Sequence, residues 1–575
     1  MQGVASVQTP PESSDHALSI GMKETTRDTR LIGGNTAAPP WRRRSWALLL
    51  VSLVIVAGLI AKDLSRGEFH YYGDEAQHAV TGLYFADFFR DLPLKEPADY
   101  TYRYYAQYPA LGVVHWPPLF HVVEGLFFLL LGPTVGAARL TVLLFTLVGL
   151  VYWFRLVREL HGDWAGFAAT LGLWLLPSLL YLEKAVLLEA PSLAVCIVAS
   201  FYWVRYLKTG ATRSLFLFAF VAALALLTKQ HAVYMATFCG LTILLRRDWH
   251  LIFNRRMVAA FLLVVVVAGP FYAVMLSVHG QTIQGHTVST IEQMGRIGPY
   301  TYYLIVLVQQ LGVPLLILSA AGILTSRLWD QRENTVIMLA WIVAFYVTLT
   351  PLPARDERYA VYWLPPFLYF AFTPLIALTR QPKFRRVATA TVCAILLVHL
   401  AIAAAHRRPY IEGYSQAAQR VIQEQGRGLI LFDGPVPGNF IFFMRAHDPN
   451  RRFVVMRKAL YATRITRGFG AEQLVHSKVE LSQLIDYYGI HCVIVSRNTS
   501  SDFEIQKELR EFLSTPQFRL MDTIPIRSNT IRWQGAELLV YENLKAPELK
   551  ATTMRIRMLT LDRDIIVNLG SIPIR

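Results

Sequence analysis

Two adjacent carboxylates, Asp74 and Glu75, stand in the stretch YYGDEAQH, which follows the first long apolar run of the chain. An aspartate at the start of a helix-like segment can accept a backbone N–H as an N-cap. A glutamate in the first helical turn suits the positive end of the helix dipole. A carboxylate can equally take a proton from a reacting hydroxyl group. The motif alone leaves the structural and the chemical interpretations open.

Further charged residues lie at short connections between later apolar runs. Glu189 lies in EKAVLLEAP, Lys229 lies in LLTKQHAVY, and Arg358 and Tyr359 lie in PARDERYAVYWLPP. Each has an ordinary explanation, because a lysine can extend from the end of a span toward water and a charge cluster can pair with itself. Charged residues from separate connections can, however, converge at one end of a helix bundle, if the connections share one side of the membrane.

Carboxylates and fixed cations at a membrane surface fit the transfer of a sugar from a lipid phosphate. The leaving group is a phosphate ester, which departs as an anion without a general acid. Cations such as Lys229 and Arg358 stabilise its growing negative charge. The incoming hydroxyl needs a base, and one well-placed carboxylate is enough. A glycosidase, in contrast, typically expels an alcohol and uses a pair of carboxyl groups.

The composition indicates a membrane protein. Of the 575 residues, 54% are hydrophobic and 17% are charged, against roughly 45–50% and about 25% in an average soluble protein. Apolar runs near the length of a membrane span recur from Trp46 to about Ala405. The net charge of +16 does not indicate a nucleic acid partner, because much of the Lys and Arg flanks these runs in short clusters that set topology.

The basic clusters orient the predicted spans. Arg42–Arg44 precede the first span, which places the N-terminus in the cytoplasm and the stretch YYGDEAQH outside. The run Pro117–Gly132 is short for a span and contains Glu124, so we predict an in-plane helix at the membrane interface. Nearly every basic cluster then faces the cytoplasm. The prediction is about eleven spans, with the charged connections described above on the external face.

The chain changes character on both sides of this region. Residues 1–40 are rich in Thr, Ser, Pro and Gly, which predicts a disordered cytoplasmic N-terminus. Residues 407–575 alternate helix-like patterns with the strand-like runs GLILF, FVVM, CVIVS and ELLVYE, which predicts a soluble α/β domain on the external, periplasmic side. This tail has no GxGxxG or Walker-type phosphate loop, so no cofactor is assigned to it. The predicted fold is a mainly α, polytopic membrane helix bundle over residues 41–406, with in-plane juxtamembrane helices, followed by this domain.

The motifs, taken in order, resemble those of the large GT-C glycosyltransferases that use polyprenyl-phosphate sugars. The stretch YYGDEAQHA resembles the first external loop motif of the aminoarabinose transferase of lipid A, the protein O-mannosyltransferases and their bacterial relatives. WPPLFHVVEGLFFLLLGPTVGAARL resembles their interfacial helix, LLTKQ their Thr-Lys-Gly turn, and ERYAVYWLPP their late Arg-Tyr motif. The resemblance covers about Trp46 to Ala405, which we predict to be a GT-C catalytic module.

The resemblance implies roles for three carboxylates. Asp74 takes the acceptor-activating role with Glu75 beside it in the same site, and Glu189 is the second carboxylate. The family usually has Asp at this second position, and Glu189 reaches about one methylene further. Some GT-C enzymes use a divalent cation held by external carboxylates, and these three could supply hard oxygen ligands. The metal dependence stays open, and no other cofactor is predicted.

The resemblance also implies a site for the donor phosphate. Lys229 and Arg358 hold the phosphate, and Tyr359 supports that site. Two positions depart from the family pattern. Gln230 replaces the glycine that follows the turn lysine, and Trp116 stands where the aminoarabinose transferase has a lysine, so that phosphate contact is not carried over.

Three histidines lie in the predicted external segments, namely His115, His279 and His286. They are candidates for contacts to the donor or the acceptor, and a solvated loop position is the alternative for each.

The predicted function is that of an integral membrane glycosyltransferase, of the hexosyl or pentosyl transferase class. It moves a sugar from a polyprenyl-phosphate carrier to a lipid, protein or glycan acceptor on the external face of the cell (inner) membrane, with inversion. The main alternative is a transporter or flippase of lipid-linked sugars. Such a protein requires functional ionisable residues within its spans, and the predicted spans are almost free of them.

Overall fold

The computed structural model describes residues 40–70, 73–463, 470–497, 503–559 and 561–572, without the side chains of 40–42, 281–291, 293 and 294. Nearly all of the predicted disordered segment 1–40, together with Tyr71 and Tyr72 of the first motif, lies outside the described residues. The contacts divide the chain into two units, Met1–Arg44 and Ser45–Arg575. The description below concerns the second unit, and the predicted domain boundary after residue 406 stays a prediction.

Helices fill the region predicted to lie in the membrane. Their bounds are α1 Pro40–Ala61, α2 Asp74–Asp91, α3 Pro97–Gln107, α4 Leu119–Leu131, α5 Val135–His161, α6 Asp163–Trp174, α7 Pro177–Glu183, α8 Glu189–Thr209, α9 Thr212–Leu226, α10 Tyr234–Arg246, α11 Arg255–Met294, α12 Gly298–Leu324, α13 Ser326–Trp329, α14 Arg332–Leu349, α15 Leu364–Thr379 and α16 Arg385–Ala405. Short 3₁₀ turns cover Gln230–Val233, Trp249–Leu251 and Glu357–Trp363.

The helices confirm a multi-pass membrane fold. Within the described residues, eight helical segments are long and apolar enough to cross a membrane, or nine if the bent pair α6 and α7 forms one span. The other two predicted spans correspond to α9 and α10, which have 15 and 13 residues. At about 1.5 Å per residue, such helices are shorter than the roughly 30 Å hydrocarbon layer. The predicted in-plane segment forms α4, which has 13 residues.

The tail folds as the predicted α/β mixture. Its helices are α17 Tyr414–Gln425, α18 Pro437–His447, α19 Lys478–Tyr487 and α20 Glu504–Leu513. Its strands are β1 Ile411–Glu412, β2 Gly428–Asp433, β3 Phe453–Met456, β4 Tyr461–Thr463, β5 Ala471–Gln473, β6 Ile490–Ser496, β7 Phe518–Pro525, β8 Arg527–Ser528, β9 Glu537–Asn543, β10 Thr553–Met558 and β11 Arg563–Asn568. Two more 3₁₀ turns cover Ile531–Trp533 and Leu569–Ser571.

Five of these strands form one sheet in the order β3-β2-β6-β9-β7. Strand β2 runs parallel to both β3 and β6, while β9 runs antiparallel to β6 and β7. The four predicted strand-like runs fall in β2, β3, β6 and β9. Strands β2, β3 and β6 were recognisable because a strand buried on both faces is a continuous apolar run, and β9 was recognisable by its short apolar run LLVY. Strand β7 was missed because Arg519, Asp522 and Thr523 interrupt its apolar residues and most of the strand is at least partly exposed.

Polar side chains tie the tail to the segments around α2. The Arg445 Nε atom of α18 donates to an Asp87 oxygen of α2 at 2.7 Å, and the Tyr104 hydroxyl donates to the same oxygen at 2.9 Å. The Asn439 side chain exchanges two hydrogen bonds with the backbone of Phe69. All of these side chains are buried. The tail therefore holds the segment that leads into the first motif.

Glu68 makes a third link to the tail. Its carboxyl oxygens accept backbone N–H bonds from Gly413, Tyr414 and Ser415 at 2.9–3.2 Å. These donors lie at the N-terminus of α17, where a helix favours negative charge. Burial nevertheless raises the pKa of Glu68 from an ordinary 4.5 to about 7.

This shift predicts a specific pH dependence of stability. Because the folded pKa of Glu68 is the higher one, its contribution is complete below about pH 4.5 and is lost as the pH rises through about 7. The free energy of unfolding should fall by about 3 kcal/mol over that interval. Thermal unfolding in detergent should show this loss in the wild type and a flatter profile in Glu68→Gln. The control is Glu424→Gln, at the other end of α17, which should keep the wild-type slope. A wild-type slope in Glu68→Gln would refute the assignment.

Candidate active site

The start of α2 sets the position of Asp74. Gly73 is the N-cap residue, with φ at 95°, a conformation that glycine adopts without steric cost. Asp74 is therefore the first helical residue, and its side chain does not cap the helix as one interpretation of the sequence held. Its Oδ2 atom instead accepts a hydrogen bond from Nη1 of Arg358 at 2.9 Å.

Glu189, Lys229 and Arg358 meet Asp74 in one cluster. Glu189 opens α8, Lys229 lies between α9 and the following 3₁₀ turn, and Arg358 lies in the turn that precedes α15. Lys229 Nζ lies 2.6 Å from Oε1 of Glu189, and Arg358 Nε lies 3.2 Å from the same oxygen. Asp356 accepts from the backbone N–H of Arg358 and also contacts its guanidinium group at 3.2 Å. Arg358 thus bridges the two carboxylates that the sequence placed 115 positions apart.

The burial of these groups differs. Glu189 and Lys229 are almost completely buried, whereas 29% of the Asp74 side chain is exposed. Oε2 of Glu189 is buried and has no hydrogen-bond partner among the described residues. Burial raises the pKa of Asp74 above its ordinary value, although the charge of Arg358 opposes the shift. Burial also lowers the pKa of Lys229, with Glu189 opposing that change. Of the two carboxylates that Arg358 bridges, Asp74 is thus the one that a substrate can reach.

Aromatic rings enclose the Lys229 ammonium group. Its Nζ atom lies 4.8 Å from the ring centroid of Tyr359 and 5.6 Å from that of Trp116, within the range of a cation–π interaction. The ring of His231 packs against Tyr359 at 4.1 Å, and burial, reinforced by the charge of Lys229, lowers the pKa of His231 to about 3. The sequence indicated Tyr359 as part of the site and Trp116 only as a departure from the family pattern, whereas His231 was missed. The proximity of His231 to Lys229 in the sequence was the available signal.

Glu75 does not join this cluster. Its carboxylate pairs with Nη2 of Arg408 at 2.6 Å and accepts backbone N–H bonds from His70 and Val186. Consecutive residues of a helix point in different directions, and here Asp74 is turned toward Arg358 while Glu75 is turned toward Arg408. The structure therefore gives Glu75 an anchoring position in a buried ion pair, and not the place beside Asp74 that the resemblance implied.

Of the three candidate histidines, the structure brings His115 and His279 close together. The rings of His115 and His279 lie 5.7 Å apart, and Gln230, the residue in the family's glycine position, donates to the carbonyl of His115 at 2.8 Å. The side chain of His286 lies outside the described residues, although its backbone belongs to α11. The predicted external connection is helical up to Met294, with a break in helical geometry at His279.

The three-carboxylate set suggested for a divalent cation is not assembled. Glu75 is turned toward Arg408, and both Asp74 and Glu189 are bound to Arg358. In the part of the chain that the structure describes, no three His, Cys, Asp or Glu side chains are grouped as a metal site requires.

Comparisons with known proteins bear on the family and the fold of this chain. Residues 115–274 match a family model described as dolichyl-phosphate-mannose-protein mannosyltransferase. The structure is similar to that of ArnT from Cupriavidus metallidurans bound to undecaprenyl phosphate, with a TM-score of 0.58 and 14% identity over 88% of this chain and 98% of that chain. The chain has an ArnT-like fold. ArnT from the same organism in the apo state gives a TM-score of 0.56 and 13% identity over 88% of this chain and 99% of that one.

These matches confirm the resemblance to GT-C glycosyltransferases that the sequence motifs indicated. No curated protein sequence matches the chain. The family match covers Glu189 and Lys229 but not Asp74 or Arg358, whereas the similarity of fold covers 88% of this chain.

Proposed function

We propose that the chain is an integral membrane glycosyltransferase that transfers a sugar from a polyprenyl-phosphate carrier to a hydroxyl group of an acceptor. The observation that carries this proposal is the convergence of two cations, Lys229 and Arg358, with the partly exposed carboxylate of Asp74. The two cations fit a phosphate leaving group, and the carboxylate of Asp74 fits a nucleophilic hydroxyl group. The ArnT relative bound to undecaprenyl phosphate supports the choice of carrier.

Each of these groups has one part in the proposed reaction. The acceptor oxygen attacks the anomeric carbon of the sugar, and the bond from that carbon to the phosphate oxygen breaks. The proton of the hydroxyl passes to Asp74, and the electron pair leaves with the lipid phosphate. Lys229 and Arg358 stabilise the charge that grows on this phosphate. Attack from the side opposite the phosphate inverts the anomeric carbon.

Arg358 couples donor binding to activation of Asp74. Before the donor binds, Arg358 neutralises Asp74 at 2.9 Å and so reduces its basicity. A donor phosphate competes for the same guanidinium group, because an arginine binds phosphate as well as carboxylate. When the donor is present, its phosphate draws Arg358 away from Asp74. The Asp74 carboxylate is then free to act as the base.

The membrane side and the acceptor belong to the proposal as well. The positive-inside pattern supports a site on the external, periplasmic face of the inner membrane. The tail, which is tied to α2 through Asp87 and to the preceding segment through Glu68, is suited to position a lipid, protein or glycan acceptor above Asp74. A flippase of lipid-linked sugars is the competing function, and it predicts movement of the donor with its sugar–phosphate bond intact.

The experiment compares the envelope glycans and glycolipids of cells with and without the protein by mass spectrometry. A second assay uses the purified protein in proteoliposomes that contain undecaprenyl-phosphate hexoses or pentoses, with an envelope extract of the deletion strain added as the source of acceptor. We expect loss of one sugar modification in the deletion strain and release of undecaprenyl phosphate in the vesicles. Unchanged glycans together with transbilayer movement of intact donor would establish the flippase instead.

A further inference from the structure

Two buried histidines, His78 and His121, lie close to the cluster that contains Asp74 and Lys229. His78 of α2 and His121 of α4 are 3% and 0% exposed, and Nδ1 of His78 lies 3.0 Å from Nε2 of His121. Nδ1 of His121 lies 3.3 Å from the backbone carbonyl of Pro117. The mechanism described above uses neither residue, and the sequence analysis passed over both.

The hydrogen bonds fix the tautomers of both rings. A carbonyl oxygen can only accept, so Nδ1 of His121 carries the hydrogen. Burial lowers the pKa of His121 to about 3 and that of His78 well below its ordinary value, so both rings are neutral. Nε2 of His121 is therefore the acceptor and Nδ1 of His78 the donor. Nε2 of His78 is left with a lone pair, and no donor among the described residues is bonded to it.

His78 belongs to the site by position. It follows Asp74 by one helical turn, and residues four apart lie on the same face of a helix. Its ring lies 5.4 Å from that of Trp116, whose ring in turn lies 5.6 Å from Nζ of Lys229. The charges of Lys229 and Arg358 also reach His78 and oppose its protonation. The tautomer is thus held by His121, and burial, reinforced by the charges of Lys229 and Arg358, keeps the ring neutral.

We propose that His78 binds a hydroxyl group of the donor sugar through Nε2, beside the phosphate subsite of Lys229 and Arg358. A neutral nitrogen with a lone pair repels phosphate oxygens, which offer no hydrogen, but it accepts from a hydroxyl group. Two residues on one face of α2 then have different partners. Asp74 contacts the acceptor hydroxyl group, and His78 contacts the sugar that is transferred. This inference rests on the proposed glycosyltransferase function.

The test measures the affinity of the full-length protein for two lipids in the absence of acceptor. One is undecaprenyl phosphate, and the other is an undecaprenyl-phosphate hexose or pentose chosen from a panel as the one that the wild type binds more tightly. His78→Phe keeps a ring and removes both nitrogens. We expect it to weaken binding of the sugar-bearing lipid about tenfold, the effect of one lost hydrogen bond with an unsatisfied partner, and to change binding of undecaprenyl phosphate less than twofold.

Two variants of His121 test the tautomer argument. Glutamine at position 121 can still accept from Nδ1 of His78, so His121→Gln should keep the preference for the sugar-bearing lipid. His121→Leu removes that acceptor and should lose part of the preference.

Three results would overturn the inference. Equal weakening of both lipids in His78→Phe indicates a structural effect on the fold, which the thermal unfolding midpoint would confirm. An unchanged donor affinity with a raised KM for the acceptor assigns the hydroxyl group to the acceptor instead. A wild type that binds neither lipid removes the proposed function and this inference together.

Discussion

Replacing Asp74 with asparagine is expected to lower kcat for sugar transfer by about 10²–10⁴-fold, the range associated with loss of a general base. Asparagine has nearly the same size and can still accept a hydrogen bond from Arg358, but it cannot take the proton of the acceptor hydroxyl. Binding of undecaprenyl phosphate should therefore persist. The measurement is the rate of transfer by the purified variant at saturating donor, with donor binding recorded on the same preparation.

Glu357→Gln is the matched control for the loss of one negative charge. Glu357 is an exposed residue of the turn that carries Arg358, and no hydrogen bond or ion pair joins its side chain to the described residues of the cluster. Its substitution should leave kcat within about twofold of the wild type, as is usual for an exposed position. Full transfer activity in Asp74→Asn would show that another group, or the substrate itself, accepts the proton.

Substituting Arg358 with glutamine is expected to lower kcat/KM by more than about 10²-fold. A charge-assisted hydrogen bond to phosphate contributes roughly 1.5–3 kcal/mol, and the loss of Arg358 also leaves Glu189 with Lys229 as its remaining cationic partner. Binding of undecaprenyl phosphate should weaken by about tenfold or more, in contrast to Asp74→Asn. Titration of the purified variant with undecaprenyl phosphate separates the two effects.

Arg358→Lys refines this second prediction. Lysine keeps the charge, but its single ammonium group cannot reproduce the planar fork that contacts Asp74 and Glu189 at once. We expect it to recover part of the donor affinity and little of the catalytic rate. Arg355→Gln, which removes a positive charge three positions away in the same connection, is the control. An equal loss of donor affinity and kcat/KM in Arg355→Gln and Arg358→Gln would show that the effect comes from general surface charge and not from the specific contacts of Arg358.

The anchoring of α2 explains why the site depends on the tail. The buried pair of Glu75 with Arg408 fixes the helix one residue after Asp74, and Arg408 is the second residue of the tail. Removing one member of such a buried pair leaves an uncompensated charge and is strongly destabilising. The tail therefore helps to hold Asp74 next to Arg358. It is also proposed to position the acceptor.

The sequence by itself determined the elements of this protein. Apolar runs of sufficient length specify spans, and continuous apolar runs in the tail specify its buried strands, because hydrophobicity and its period are local properties. The clusters of Lys and Arg likewise singled out α4 as a short apolar helix apart from the spans. The order of the motifs was enough to indicate the fold later found to be ArnT-like.

Only the tertiary structure decided how the charged residues are used. Asp74 and Glu75 look equivalent in the sequence, yet helical geometry turns one toward Arg358 and the other toward Arg408. The pairing of His78 with His121 depends on the packing of α2 against α4, which no local pattern encodes. Ion pairs and tautomers are set by neighbours distant in sequence, and so the carboxylate that can serve as the base emerged only when the helices were assembled.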